Sequence, residues 1–243
     1  MNRGVGATEL LRETLPEWTI PVFNLLSLPG DLLVIVPLLA LLYLVDVTDT
    51  LRRSPETGTE SSLCSDRTAF VIATILGGLA LVVLVKSSFS LSRPPTALRA
   101  VDTSEYGFPS GHTMAATIAW GAVGLWATIG RRRARIAAAG MLVPLVGLSR
   151  LALGVHYLVD VLASLAIGVA YLAVLVWLTK GRPGRAFVVA IAIAALAVLV
   201  SGGNGRALLA LAGTVGGGVG WWVLERPPVR RRLVRTVGRV RTS

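Results

Sequence analysis

The sequence predicts an all-α fold, a polytopic transmembrane helical bundle of about six to seven spans, on three observations. Of its 243 residues 53% are hydrophobic and only 15% charged. The mean hydropathy is +0.70, far from the balance of a water-soluble domain. The apolar residues also gather in blocks of roughly 15 to 24, close to the ~20 that a helix needs to cross ~30 Å of hydrocarbon.

The chain begins Met1-Asn2-Arg3-Gly4 and runs into Glu9, Arg12, Glu13 and Glu17. No apolar core follows the basic start as a cleaved signal requires, so the transmembrane helices are expected to do the targeting. Residues 8–24 hold Leu10, Leu11, Leu15, Trp18, Ile20, Val22 and Phe23, broken by Pro16 and Pro21. That pattern predicts a helix lying at the membrane interface rather than a span. The apolar blocks that follow are 31–45, with a start nearer Leu25 as the alternative, then 68–85, 111–129, 136–153 and 157–178. A polar stretch, Leu51 to Arg67, separates the first two. Two further blocks, 186–200 and 207–224, flank the turn signal Ser201-Gly202-Gly203-Asn204-Gly205. In the last block Gly213 and Gly217, and Gly216 and Gly220, repeat at four-residue spacing, which permits close helix packing, within the chain in preference to a dimer.

If all seven blocks cross, one set of alternate loops with the C-terminal tail holds 17 of the 24 Lys and Arg residues. That asymmetry predicts a cytoplasmic C-terminus and an outer N-terminus, and it accounts for the net charge of +11 without nucleic acid. The arginines stand between apolar blocks, not interleaved with aromatics as in a nucleic-acid-binding face. The run Arg230-Arg231-Arg232 through Arg241 is read as a topology anchor, with anionic-lipid binding as the alternative. Cys64 is the only cysteine, so no internal disulfide or thiolate metal cluster can form.

Positive charge on the outer side runs against the topology rule and needs a local reason. Lys86, Arg93, Arg99 and Arg150 all fall there, and so do the chain's two histidines, His112 and His156. In Pro109-Ser110-Gly111-His112 a helix is predicted to start with Ser110 as N-cap, which aims backbone N–H groups at one spot suited to phosphate. His156 and Asp160 are four apart, so on a helix they share a face, and the carboxylate can hold one ring nitrogen while the other stays nucleophilic. Several fixed cations around a tetrahedral anion are what phosphoryl transfer needs. The nearby carboxylates Asp102, Glu105 and Asp160 are too few and scattered for a two-metal site, so no metal and no other cofactor is expected.

Lys86-Ser87-Ser88-Phe89-Ser90-Leu91-Ser92-Arg93-Pro94, Pro109-Ser110-Gly111-His112, and Ser149-Arg150 followed by His156 and Asp160 together resemble the three ordered signatures of the type 2 phosphatidic acid phosphatase (PAP2) family. The signatures cover 86–160, and the likeness extends through about 31–178. The resemblance implies that His156 attacks phosphorus to give a phosphohistidine, that His112 protonates the leaving oxygen and later activates water, and that Asp160 orients His156. Lys86, Arg93, Ser110, Gly111 and Arg150 would bind the phosphate, with no metal. One departure is Arg93-Pro94-Pro95-Thr96, where many members read Arg-Pro-Arg-Pro, and it bears on substrate preference. Vanadium-dependent haloperoxidases share similar signatures but are soluble, which the hydropathy opposes.

The division that follows is an interfacial segment at 1–25, a PAP2-like transmembrane catalytic core at 26–178, an additional helical hairpin at 179–224 and a basic cytoplasmic tail at 225–243. The expected function is metal-independent hydrolysis of a lipid phosphate or pyrophosphate, such as phosphatidic acid, phosphatidylglycerol phosphate or a polyprenyl pyrophosphate. The protein is expected to be multi-pass in the cell membrane, among membrane lipids, with its site on the outer face. The alternatives are a non-catalytic membrane protein that binds lipid phosphates and a phosphotransferase that uses the same intermediate.

Overall fold

The computed structural model describes residues 5–57, 62–103 and 106–229, so Glu105 and the arginines from Arg230 onward lie outside the described residues. The N-terminal segment is two short helices, α1 (Val5–Thr14) and α2 (Ile20–Ser27). Pro16 separates them, but Pro21 does not break the second. It sits in the first turn of α2, where a missing N–H costs nothing. A 3₁₀ turn, Leu28–Gly30, then leads into α3 (Leu32–Thr57). This helix runs on through Arg52 into the stretch expected to be a polar loop.

The remaining helices are α4 (Asp66–Phe89), α5 (Gly111–Trp126), α6 (Arg132–Ala152), α7 (Leu158–Thr179), α8 (Pro183–Val200) and α9 (Gly205–Leu224). Among the described residues six helices are long and apolar enough to cross a membrane: α3, α4, α6, α7, α8 and α9. The third apolar block gives only the 16-residue α5, because the helix stops at Trp126 rather than Ile129. α5 still runs the length of the bundle, its start against the ends of α4 and α6 and its end against the start of α6, and it packs against α4, α6 and α7. Its Met114, Ile118 and Ala119 meet Val71 and Ile75 of α4 and Leu172 and Leu175 of α7 in the central core.

Small residues let these helices approach. A Cβ at Gly78 of α4 would run into Ile118 of α5. A Cβ at Gly77 would stand 2.6 Å from the Tyr171 hydroxyl, which donates to the Thr74 carbonyl at 2.9 Å and ties α7 to α4. The most extensive helix contact is between α4 and α8, so the C-terminal hairpin is built into the bundle. In α9 the glycine pattern divides. Gly217 faces Leu76 and Phe187, with Gly213 at the edge of contact with Leu76, whereas Gly216 and Gly220 have nothing within 4 Å.

The outward faces carry exposed Leu33, Leu41, Val169, Trp177, Val188 and Leu199, a surface that suits acyl chains and not water. At the ends of the bundle, Asp46 accepts the Ser65 backbone N–H at 2.6 Å, and Glu225 accepts that of Cys64 at 2.9 Å. These bonds tie the start of α4 to α3 and to the end of α9.

Gly78→Val should wedge α4 from α5. Overpacking of this kind costs ~1–3 kcal/mol, so the thermal midpoint in detergent should fall by several degrees. An unchanged midpoint would show that the two helices do not meet at Gly78.

Candidate active site

Four segments deliver the polar residues to one end of the bundle. Lys86 comes from the last turn of α4 and Arg93 from the loop that follows. Ser110, Gly111 and His112 come from the start of α5, and Arg150 from the last turn of α6.

Ser110 stands at the N-cap of α5 (φ −67°, ψ 107°) as expected, but it does not cap the helix with its side chain. Its hydroxyl pairs with that of Thr113 at 2.9 Å, so the N–H groups of the first turn are left uncapped by it, which suits an anion. Its backbone is held from α7: Ser164 Oγ donates to the Ser110 carbonyl at 2.9 Å, and the Ser110 N–H donates to the Asp160 carbonyl at 3.3 Å. Lys86 lies over Gly111, where a Cβ would stand 3.0 Å from Lys86 Cε, and its Nζ donates to the Tyr106 carbonyl at 3.1 Å.

His156 is not on α7, as the four-residue spacing to Asp160 suggested. It lies in the turn between α6 and α7. Gly154 makes that turn possible at φ +71°, and any Cβ there would overlap the Leu98 carbonyl. The turn is fixed from three sides. The Ala100 N–H donates to the Leu153 carbonyl at 3.0 Å, the Val155 N–H to the Arg150 carbonyl at 3.2 Å, and the buried Thr8 hydroxyl of α1 to the His156 carbonyl at 2.9 Å. Asp160 is the third residue of α7, where its Oδ2 accepts the Tyr157 N–H at 2.9 Å.

That same oxygen lies 3.4 Å from His156 Nδ1, a long contact through which Asp160 acts more as a nearby charge than as a tight hydrogen-bond partner. On the other side of the ring, Nε2 is 3.1 Å from an Arg93 guanidinium nitrogen, which also donates to the Val155 carbonyl at 2.9 Å. A guanidinium can only donate, so Nε2 is the acceptor and the ring proton belongs on Nδ1, facing Asp160. Burial first, then Arg93, Lys86, Arg150 and His112, push the imidazole of His156 well below its usual 6.5, so the ring is neutral at physiological pH. Burial and the neighbouring Arg99 lower Arg93 only to about 10, which leaves it charged.

Arg150 is 5% exposed and its Nε is buried with no hydrogen-bond partner. A buried donor on a cation is costly unless something accepts from it, and a phosphate oxygen is suited to do so. All eight residues singled out in the sequence therefore converge on this end of the bundle.

One residue was missed. Asp31, at the start of α3, places Oδ2 3.3 Å from His112 Nε2. A carboxylate at the very start of an apolar block is the signal the sequence offers. Among the described residues no cluster of three His, Cys, Asp or Glu side chains could hold a metal ion.

Residues 67–184 match the family model of the PAP2 superfamily. The fold is similar to the crystal structure of a transmembrane PAP2-type phosphatidylglycerolphosphate phosphatase from Bacillus subtilis, with a TM-score of 0.56 and 22% identity over 73% of this chain and 82% of that one. No curated protein matches the chain. The apolar helices make this a multi-pass membrane protein, and its residues 67–184, which hold both histidines and the cations around them, are similar to the PAP2 superfamily.

Proposed function

We propose that the chain is a lipid phosphatase that works through a phosphohistidine on His156. The observation that carries this reading is the neutral His156, with Nε2 as the lone-pair nitrogen, set among Lys86, Arg93 and Arg150. Binding alone would be served by the cations; a neutral imidazole among them adds a nucleophile.

A phosphate entering the site draws the Arg93 guanidinium from Nε2 onto its own oxygens. Lys86, Arg150 and the first N–H groups of α5 neutralise the rest of its charge. Nε2 then attacks phosphorus, the bond to the leaving oxygen breaks, and His112 gives that oxygen a proton. The Nδ1 proton faces Asp160, which stabilises the positive ring that forms. Water next attacks the phosphohistidine, gives its proton to His112 and releases inorganic phosphate. The cations supply the electrostatic stabilisation, so no step calls for a metal.

Two features support a lipid substrate at the outer face. The site lies at the ends of α4, α6 and α7, helices whose outward surfaces are apolar. The distribution of Lys and Arg in the sequence favours the opposite end, with the C-terminus, as cytoplasmic. The phosphatidylglycerolphosphate phosphatase of similar fold makes that lipid the first substrate to assay, followed by phosphatidic acid and a polyprenyl pyrophosphate.

Purified protein should release phosphate from one of these lipids with chelator present. His156→Ala should lose about 10⁴-fold or more in turnover. Lys86→Ala and Arg150→Ala should each lose roughly 10²–10³-fold. Near-normal turnover in His156→Ala would sink the mechanism.

The two histidines also allow a direct titration. In ¹⁵N-imidazole NMR of a His112→Gln variant the remaining signal should stay that of a neutral ring protonated at Nδ1 as pH falls through 6.5. The sign follows from the neighbours: desolvation and surrounding cations disfavour the charged ring, so protonation is postponed to lower pH. A midpoint at or above 6.5 would contradict the electrostatics described.

A further inference from the structure

The His112–Asp31 contact goes beyond the signatures, because Asp31 lies outside residues 67–184 that match the family. Its carboxylate is held at both oxygens. Oδ1 accepts the Leu33 N–H at 2.8 Å within the first turn of α3, which turns Oδ2 toward His112 Nε2 at 3.3 Å. The segment before it is docked on α5. The Trp120 indole N–H donates to the Pro29 carbonyl at 2.9 Å, and Gly30 sits so close to the His112 backbone that a Cβ there would overlap the His112 carbonyl. Asp31 and the residue it faces are thus fixed to each other by backbone packing as well as by the side-chain contact.

Charges facing His112 come from each side. Lys86 of α4 and Arg150 of α6 act on it as like charges, and Asp31 is the anion that opposes them. Asp160 of α7 is engaged instead with Tyr157 and His156. Between two fixed cations an imidazolium needs a carboxylate at contact distance.

Resting on the phosphatase reading above, we propose that Asp31 is the positioning residue for His112, orienting its ring and stabilising its imidazolium so that it can serve as the proton donor. Asp31 takes the Nε2–H and leaves Nδ1 as the nitrogen that exchanges protons. When the bond from His156 Nε2 to phosphorus forms and the bond to the leaving oxygen breaks, the Nδ1 proton of His112 passes to that oxygen. Neutral His112 then accepts a proton from the water whose oxygen displaces His156 from phosphorus.

The test compares wild type, Asp31→Asn and Asp31→Glu on two substrates: a lipid alkyl phosphate, whose leaving oxygen needs a proton, and p-nitrophenyl phosphate, whose leaving oxygen does not. Asp31→Asn should lose about 10-fold or more in kcat on the alkyl phosphate and less than about 3-fold on the aryl one, since proton donation is typically worth 10²–10⁴-fold and is only impaired here. The alkaline limb of its kcat/KM profile should move about one unit or more to lower pH, because removing the anion favours the neutral ring. Asp31→Glu should restore most of both. Equal losses on the two substrates, or an unmoved alkaline limb, would overturn the proposal.

The His112 titration by ¹⁵N NMR gives a readout that needs no turnover. A midpoint lowered by Asp31→Asn supports the pairing, and an unmoved one overturns it. Should the wild type release phosphate from no substrate, the phosphatase reading falls while this titration still decides the role of Asp31.

Discussion

Positive charge gathered in a poorly hydrated pocket is the constraint around which this molecule is arranged. Arg93 and Arg150 are buried, and Lys86 lies over Gly111 at the same end of the bundle. Bringing like charges together away from water is unfavourable, so the helices that present them must be held by interactions elsewhere. The apolar core of α4, α5 and α7 and the close α4–α8 contact supply that support. On the proposed function the benefit would come with a phosphate: donors already fixed in place would need no reorganisation to meet it, and the buried Arg150 Nε would gain an acceptor.

The turn that carries His156 shows how local chemistry and long-range packing are joined. Gly154 permits the backbone path, yet the path is held by partners distant in sequence: Thr8 of α1, and Ala100 and Arg93 of the segment between α4 and α5. α1, expected only to rest on the membrane interface, therefore also sets the carbonyl of His156. The N-terminal helix thus lies against the end of the bundle where the histidines gather, and Thr8 joins it directly to the His156 turn.

Most of the site was legible because its residues violate a strong background rule. Basic groups and histidines at the less basic ends of apolar helices have few bland explanations in a bilayer, and Lys86, Arg93, His112, Arg150 and His156 stood out for that reason. The apolar blocks were legible for the same physical cause, since hydrocarbon thickness sets their length. What could not be read were features decided by three-dimensional contact. The spacing of His156 and Asp160 suggested one helical face, but Tyr157 takes the cap position and places His156 before the helix. Ser110 had the right identity for a cap, but Thr113 competes for its hydroxyl. Asp31 was invisible as a partner because nothing local connects it with His112, 81 residues away.

The two histidines are the same side chain in different environments, and the difference sorts their tasks. His156 is 1% exposed, faces a donor-only guanidinium at one nitrogen and has its carboxylate at 3.4 Å, an environment that favours a neutral ring with an available lone pair. His112 is about a third exposed, at 31%, and its carboxylate partner is open to a similar degree. Water can therefore reach His112, as the proposed role of giving and recovering a proton would require, whereas its exclusion from His156 would keep the proposed nucleophile unsolvated until a phosphate displaced Arg93. In the proposed mechanism, exchanging the two environments would open the nucleophile to water and bury the ring that must pass a proton. The division of labour thus follows from depth in the bundle and from which charged neighbour each ring meets.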